Sequence, residues 1–300
     1  MVVTDLALFQ STQTTTGMLF AVVLSLFVSI GAATPLLDEL CTRAPHIADH
    51  MHNWCSDAAE CDWDGVDCVP GERVFQVRLR DVPLNFALPI DALSEQGVHT
   101  VGLRNCGLSG DLGAIGAIGS RSLDLSENSG LFGMIPTEQL HQMVQLDLAS
   151  CALSGNLADS LACESVESSL LTVFDVSSNA LSGNMSVCEG SSTALCKLHT
   201  LKLSGNELTG RAPVPPRIAV YEVARNNFTS LEDVELSPRI IEAVTIFGVE
   251  RVPESIRPFV QSCDVRDNQF DTVMPGWLAN TVAVDLNRTL DCGYLSTEEK

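Results

Sequence analysis

The sequence predicts an α/β solenoid: a right-handed curved coil with a parallel β-sheet on its concave face and a cysteine cap at its N-terminal end. Three observations lead to this prediction. Apolar-x-apolar pairs recur about every 20 to 28 residues, an asparagine or cysteine follows most of them, and cysteines and tryptophans cluster ahead of the first pair. The ten pairs are Val77/Leu79, Val101/Leu103, Leu123/Leu125, Leu146/Leu148, Phe174/Val176, Leu201/Leu203, Tyr221/Val223, Val244/Ile246, Cys263/Val265 and Val284/Leu286.

Every repeat follows the same physical rule. In an apolar-x-apolar strand the two apolar side chains lie on one face, and apolar residues three positions upstream and five downstream turn to the same side. A single repeat cannot bury that face. Stacked repeats share one continuous core in which each contacts only its neighbours, so their strands are expected to align in a parallel sheet.

The ninth position of the repeat is suited to an interior turn. An inward asparagine can hydrogen bond to turn amides and carbonyls that would otherwise lack partners. Asparagine occupies this position in five copies and cysteine in two, namely Asn128, Asn179, Asn206, Asn226, Asn268, Cys106 and Cys151.

The tail of the repeat points to a known family. Its copies are Leu108-Ser-Gly110, Leu153-Ser-Gly155, Leu181-Ser-Gly183, Leu208-Thr-Gly210 and Phe132-Gly-Met-Ile-Pro136. Together with the Leu-x-x-Leu-x-Leu-x-x-Asn copy that begins at Leu198, they resemble leucine-rich repeats of the plant-type extracellular class over residues 74–290. The match weakens after Pro216, where Val249 and Thr289 replace the asparagine. Cysteine is a known substitute for that asparagine in this family, so the resemblance implies that the two ninth-position cysteines are structural thiols.

A second signature lies ahead of the first repeat. Trp54-Cys55, followed by Cys61-Asp-Trp63-Asp-Gly65-Val66-Asp-Cys68, is similar to the box that caps the first repeat in secreted plant-type and some protist surface proteins. A lid is needed because the end of a solenoid exposes its core. The resemblance implies a Cys61–Cys68 disulfide, whereas the sequence leaves the pairing of the other nine of its eleven cysteines open.

Four segments follow along the chain: a leader over residues 1–33, the cap over 34–73, the repeats over 74–290 and a tail over 291–300. The apolar run of residues 18–33 ends in small residues, which predicts a signal peptide cleaved near Ala33 and a secreted or cell-surface protein. The residues before this run contain Asp5 and no lysine or arginine, unlike a usual signal peptide. An uncleaved membrane anchor over residues 18–33 is therefore the alternative.

The charge of the chain excludes some partners. With 38 acidic and 17 basic residues the formal net charge is -21, which repels nucleic acid and anionic membranes. A basic partner is compatible with this charge but is not implied by it. Secretion through a eukaryotic pathway would predict N-glycosylation at the three Asn-x-Ser/Thr sequons, Asn184, Asn227 and Asn287.

The sequence offers little sign of catalysis. His46, His50 and His52 lie close together, and the spacing of the first two would place both on one helical face as metal ligands. A solvated cap helix explains them better. The sequence contains no phosphate loop, nucleophile elbow or dinucleotide fingerprint. We therefore predict a protein that is not an enzyme and has no metal site or cofactor.

A binding surface remains as the candidate functional site. Residues flanking the strand leucines are expected to point outward on the concave face, where solenoids usually bind. We predict ligand contacts from Arg78, Arg80, Arg104, Asp124, Asp147, Asp175, Lys202, Glu222 and Phe247. Phe247 would act as the aromatic anchor. The alternative for the three aspartates is that they only follow the Leu-Asp-Leu pattern of the repeat.

These observations favour a non-catalytic extracellular recognition module that binds a protein, peptide or glycan. Relatives of the resembled class include receptor ectodomains, inhibitors of wall-degrading enzymes and protist surface antigens. The alternative is a structural or adhesive component of a cell wall or surface that has no specific ligand.

Overall fold

A computed structural model describes residues 34–70, 73–94, 98–113, 119–135, 142–160, 170–185, 197–214, 218, 220–231, 262–264 and 268–269. Three short α-helices occur in these residues: α1 (Pro35–Arg43), α2 (Ile90–Ser94) and α3 (Leu157–Ser160). Two 3-10 helices cover Pro45–Asp49 and Glu60–Asp62. The strands are β1 (Val66–Val69), β2 (Arg73–Arg80), β3 (Thr100–Arg104), β4 (Ser109–Asp111), β5 (Ser122–Asp124), β6 (Gly130–Gly133), β7 (Gln145–Asp147), β8 (Ala152–Asn156), β9 (Val173–Asp175), β10 (Ala180–Asn184), β11 (Thr200–Lys202), β12 (Glu207–Ala212), β13 (Val220–Glu222), β14 (Asn227–Leu231) and β15 (Ser262–Asp264).

The predicted leucine-rich repeat solenoid is confirmed. Nine strands form one sheet in the order β1-β2-β3-β5-β7-β9-β11-β13-β15. All neighbours pair in parallel except β1, which runs antiparallel to β2. From β3 onward each repeat contributes one strand to this sheet, and its next strand, such as β4 or β6, belongs to a different sheet.

Those alternate strands form a second, lateral sheet. Its order is β14-β12-β10-β8-β6-β4, again with parallel neighbours. The Leu-Ser-Gly tails of the repeats are therefore short strands. Their regular recurrence allows each tail to hydrogen bond to the tail of the next repeat.

The apolar core fills the space between the two sheets. Both leucine positions of the first-sheet repeats and the leucine of each tail are buried, including Leu103, Leu108, Leu125, Leu131, Leu148, Leu153, Leu203 and Leu208. Alternation along each strand sends the intervening residues outward. The core is thus continuous along the stack, as a repeat architecture requires.

The ninth-position asparagines form hydrogen bonds from repeat to repeat, and we call this series, Asn128, Asn179, Asn206, Asn226 and Asn268, the asparagine ladder. The Asn128 side chain is fully buried, and its Oδ1 accepts hydrogen bonds from the amides of Cys106 (3.0 Å) and Leu108 (2.9 Å) in the preceding repeat. Its Nδ2 donates to the carbonyls of Leu103 (2.7 Å) and Leu125 (2.8 Å). One side chain therefore satisfies the turns of two adjacent repeats, as the ninth-position pattern predicts.

The same arrangement recurs along the stack. Leu153, Leu181, Leu208 and Phe228 each donate their amide to the asparagine of the following repeat at 3.1 Å, namely to Asn179, Asn206, Asn226 and Asn268.

The two ladder cysteines are structural. The Cys106 thiol donates to the Arg104 carbonyl at 3.3 Å, and the Cys151 thiol donates to the Leu125 carbonyl at 3.5 Å. Burial raises the pKa of each thiol to about 11, which keeps it protonated and unreactive at neutral pH.

The predicted Val244/Ile246 pair lies outside the described residues. In the first sheet β13 pairs directly with β15, with Tyr221 opposite Cys263. The asparagine ladder continues across this pair, because Nδ2 of Asn268 donates to the Val223 carbonyl at 3.0 Å.

The cap closes the first repeat through two disulfides, Cys41–Cys55 and Cys61–Cys68. The second pair confirms the expected disulfide, and the first is additional. Indole rings of Trp54 and Trp63 lie 5.2 Å apart beneath this lid. The Trp54 ring nitrogen donates to the Asp64 carbonyl at 2.7 Å.

Gly65 joins the cap to the sheet. Its φ of +77° lies in the left-handed region, and a Cβ there would clash with the carbonyl oxygen of Arg78. In return, the Arg78 amide donates to the Gly65 carbonyl at 2.7 Å.

Replacing a ladder asparagine by cysteine should lower the free energy of unfolding, and replacing a ladder cysteine by asparagine should raise it. Asn128→Cys leaves two buried amides without their acceptor and should lower the free energy of unfolding by about 2 to 4 kcal/mol. Cys151→Asn supplies the missing amide group and should raise it by about 1 kcal/mol. Urea denaturation measures both changes, and equal effects of the two substitutions would contradict a ladder that depends on asparagine.

Removing the Cys61–Cys68 disulfide should destabilise the cap and the first repeat. The Cys61→Ser/Cys68→Ser double variant is expected to lose roughly 2 to 5 kcal/mol in urea denaturation. Peptide mapping without reduction should first show both bonds in the wild type. Finding Cys61 and Cys68 as free thiols would remove the structural basis of the cap.

Candidate ligand-binding face

The predicted column of outward residues is in register across the first sheet. Backbone pairing connects one residue from each successive strand, in the order Arg78, Gly102, Asp124, Asp147, Asp175, Lys202, Glu222 and Asp264. We call this row the concave column. Neighbouring strands lie about 4.8 Å apart, so the charges of the column lie next to one another on a rigid surface.

Two aspartates of the column support their own turns. Oδ1 of Asp124 accepts from the Ser126 amide at 3.0 Å and from its hydroxyl at 2.6 Å. Asp175 makes the same two contacts with Ser177. The alternative interpretation of these residues is therefore partly correct, because one oxygen of each carboxylate has a structural task.

Asp147 is the exception among the three. The residue two positions on is Ala149, so its Oδ1 accepts only an amide hydrogen bond, at 3.1 Å. Burial and, to a lesser extent, the charges of Asp175 and Asp124 together raise the pKa of Asp147 to about 6, against the opposing effects of the Ala149 amide and Arg104. This carboxyl group lies between two others and has the fewest donors.

Lys202 separates the acidic residues into two groups. Its Nζ lies 3.8 Å from Oδ2 of Asp175 and 3.7 Å from Oε1 of Glu222. The Lys202 and Glu222 side chains are partly exposed, whereas Asp175 is buried. Lys202 therefore offsets the charges of Asp175 and Glu222, while the basic residue that interacts with Asp124 and Asp147 is Arg104, which is itself paired with Glu127.

The three arginines lie at the capped end of the same face but differ in availability. Arg104 donates to Glu127 at 2.5 Å, and Arg80 lies 3.5 Å from Asp81. The guanidinium of Arg78 is exposed and contacts no carboxylate among the described residues. Its column neighbour is Gly102, which is buried, and the aliphatic part of the Arg78 side chain packs against it: a Cβ on Gly102 would lie 3.5 Å from Cγ of Arg78.

Other predicted residues fall elsewhere. Asn184 ends β10 and Asn227 begins β14; both are exposed on the lateral sheet, which leaves their glycosylation a prediction. Phe247 and Asn287 lie outside the described residues.

The histidines of the cap have a structural contact. Nε2 of His46 donates to the Pro83 carbonyl at 2.6 Å, and the rings of His46 and His50 meet edge to face at 6.4 Å. No cluster with the composition of a metal site occurs in the described part of the chain. The leader lies outside that part, within which no helix has the length and apolar character needed to cross a membrane.

Two exposed apolar residues on the lateral sheet were missed. The Phe132 and Met134 side chains are 52% and 51% exposed, the highest values among large apolar residues in the described chain. In the sequence both residues stand within the repeat tail Phe132-Gly-Met-Ile-Pro136. The signal that could have found them is that the equivalent positions of the other tails are polar.

Comparison with known proteins supports the fold and the resemblance. No protein-family model matches the sequence. The chain is similar to Protein BRASSINOSTEROID INSENSITIVE 1 of Arabidopsis thaliana, with 29% identity over 192 residues, and to the brassinosteroid LRR receptor kinase of Solanum lycopersicum, with 28% over 193. Each alignment covers 60% of this chain and 16% of the relative, so the chain spans a small part of either protein.

Two solved structures share the fold. The LRR ectodomain of the receptor kinase GASSHO1/SCHENGEN3 from Arabidopsis thaliana, in complex with CASPARIAN STRIP INTEGRITY FACTOR 2, matches with a TM-score of 0.51 and 20% identity. That match covers 83% of this chain and 31% of the ectodomain chain. The Arabidopsis receptor kinase HAESA, in complex with the peptide hormone IDA and the co-receptor SERK1, matches with a TM-score of 0.53 and 19% identity, covering 81% and 40%. The expected resemblance to plant leucine-rich repeat ectodomains is thus confirmed.

The raised pKa of Asp147 predicts a pH-dependent stability. An unperturbed aspartate has a pKa of 3.8, against about 6 for folded Asp147. Between these values the folded chain binds a proton that the unfolded chain does not, so the free energy of unfolding should fall as pH rises from 4 to 6 and then level off. Asp147→Asn keeps the acceptor for Ala149 and should be about 1 kcal/mol more stable than the wild type at pH 7, since solvent screens part of the shift.

Denaturation in urea at a series of pH values tests this prediction. Asp57→Asn, which changes an exposed carboxylate of the cap, is the control and should keep the wild-type pH profile. An unchanged profile in Asp147→Asn would show that Asp147 is not the group responsible.

Proposed function

We propose that the chain is a non-catalytic extracellular recognition module that binds a protein or peptide through the concave column. The observation that carries this proposal is the distribution of charge along one rigid sheet. Among the described residues Arg78 stands at one end with no carboxylate partner, whereas Asp124 and Asp147 form a negative region two and three strands away, beside an Arg104 that is already paired with Glu127. Opposed charges on a fixed spacing favour one orientation of a charged ligand.

The comparisons agree with this class of function. The Solanum lycopersicum relative is a receptor kinase, and the two structures that share the fold are receptor kinase ectodomains in complex with CASPARIAN STRIP INTEGRITY FACTOR 2 and with the peptide hormone IDA. A ligand of this chain would place an acidic group near Arg78 and basic groups over the aspartates. The negative charge of the whole chain would speed the approach of a basic ligand.

The shape of the column suits an extended ligand. Gly102 adds no side chain between Arg78 and Asp124, and parallel backbone pairing of β2, β3 and β5 holds these positions in a straight row. Such a surface requires little ordering on binding, which reduces the entropic cost. The remaining oxygens of Asp124 and Asp147 are available, because the turn contacts of both use only Oδ1.

Two charge substitutions should weaken binding without unfolding the chain. Ligands are first captured from the surface extract of the source organism and identified by mass spectrometry. For a captured protein or peptide, Arg78→Glu and Asp147→Asn are each expected to raise the Kd about 10-fold in calorimetric titration. Asp147→Asn is chosen because it preserves the turn hydrogen bond that a lysine would remove.

Arg121→Glu provides the matched control. Arg121 is exposed but precedes β5 and lies outside the concave column, so its substitution should leave the Kd within about twofold. Normal binding by both column variants would refute the proposal. Extraction of the chain only together with an insoluble wall or matrix, and no saturable partner, would favour the structural or adhesive alternative.

A further inference from the structure

The lateral sheet has one irregular repeat. In each tail, the residues on either side of the central glycine point away from the core. They are polar in four described tails: Ser109 and Asp111, Ser154 and Asn156, Ser182 and Asn184, Thr209 and Arg211. In the tail of β6 the same two positions are Phe132 and Met134, which surround Gly133. We call these two residues the lateral apolar pair.

The polar residues at the first of these positions contribute to the fold. Hydroxyl groups donate to the glycine carbonyl of the preceding repeat: Ser182 to Gly155 at 3.2 Å and Thr209 to Gly183 at 3.1 Å. Thr229 does the same to Gly210 at 3.2 Å. Phe132 cannot make this bond. The repeat that contains β5 and β6 therefore lacks this stabilising hydrogen bond and exposes a large aromatic side chain instead.

The lateral apolar pair is held rigidly. Buried Leu131 and Ile135 fix the chain on both sides, and β6 pairs with β4 and β8. Gly133 has a φ of +99°, and a Cβ there would clash with the Asp111 carboxylate. The Met134 side chain lies over Gly155 of the next repeat, where a Cβ would be 2.6 Å from its Cγ. A large apolar pair in a fixed position, surrounded by polar residues, has the composition of a binding hot spot.

The charge of the surroundings indicates which occupant fits. Asp111 is exposed and pairs with Phe132 across the sheet, and its carboxylate lies against Gly133, the residue between Phe132 and Met134 in the chain. A second copy of the chain would bring another formal charge of -21 towards the first, which disfavours self-association. A partner with a basic group beside an apolar pocket would instead gain from both Asp111 and the long-range field.

We propose that Phe132 and Met134 form a second docking site, separate from the concave column, for another protein that presents an apolar pocket flanked by a lysine or arginine. The proposal does not depend on the proposed function. The concave column lies on the first sheet, and the lateral apolar pair lies on the second.

The first experiment separates binding from folding in the isolated protein. Phe132→Ser restores the hydroxyl that the other tails carry, and Met134→Asn restores the amide of Asn156 and Asn184. The melting temperature of each variant should equal or exceed that of the wild type, because a solvent-exposed apolar side chain that binds a partner contributes little to the stability of the free protein. A fall in melting temperature of more than about 4 °C in both variants would show that the pair covers the fold, and would overturn the proposal.

The second experiment identifies the occupant. A photo-reactive phenylalanine analogue replaces Phe132 in the full chain, and the matched control carries it at Ser154, the equivalent position of the next repeat. Irradiation in surface extract of the source organism should give a cross-linked protein from position 132 and not from 154. The captured protein is then purified, and its Kd for the wild type is compared with those for Phe132→Ser and Asp111→Asn.

Specific docking predicts at least a 10-fold rise in Kd for Phe132→Ser, a smaller rise for Asp111→Asn, and no change for Arg78→Glu. Equal cross-linking at both positions, an unchanged Kd for Phe132→Ser, or a product formed only between two copies of this chain would each overturn the proposal. Loss of binding through Arg78→Glu alone would assign the captured protein to the concave column instead.

Discussion

The rest of the structure depends on one constraint: the interior turn of every repeat must be hydrogen bonded without water. Asn128 meets this requirement for two repeats at once, with its oxygen on amides of the preceding turn and its nitrogen on carbonyls of both. Because the side chain bridges neighbours, it fixes the stacking distance as well as the turn. The register of both sheets follows, and with it the alignment of every outward residue.

That register gives the chain two surfaces of different character. On the first sheet, identical positions of successive repeats bring Arg78, Asp124, Asp147 and Lys202 into one row, so that weak exposed charges act together. On the lateral sheet, the position that carries a serine or threonine in the other tails is occupied by an exposed aromatic residue in the tail of β6. Phe132 replaces a hydroxyl that in other repeats donates to a glycine carbonyl, and a sequence gives up such a contact only at some cost in stability.

The position of Asp147 shows how a fold can modify an ordinary carboxylate. Its neighbours in the row are Asp124 and Asp175, and both have a serine hydroxyl that Asp147 lacks, because Ala149 follows it. Protonation of this one group therefore changes the charge at the centre of the concave column. A recognition surface built on this column would respond to mild acidity through the same residue that supports the turn.

The sequence by itself determined the solenoid and the asparagine ladder, because each rests on local spacing: Leu-x-Leu for the strands, and Asn128 and its equivalents for the turns. The Cys61–Cys68 bond of the cap was implied by the family resemblance, and the Cys41–Cys55 bond was left open, since spacing does not determine connectivity. Only the tertiary structure decided which charges are available. Among the described residues Arg104 is bound to Glu127, whereas Arg78 contacts no carboxylate. That difference depends on contacts between repeats, and such contacts arise from stacking rather than from the order of residues along the chain.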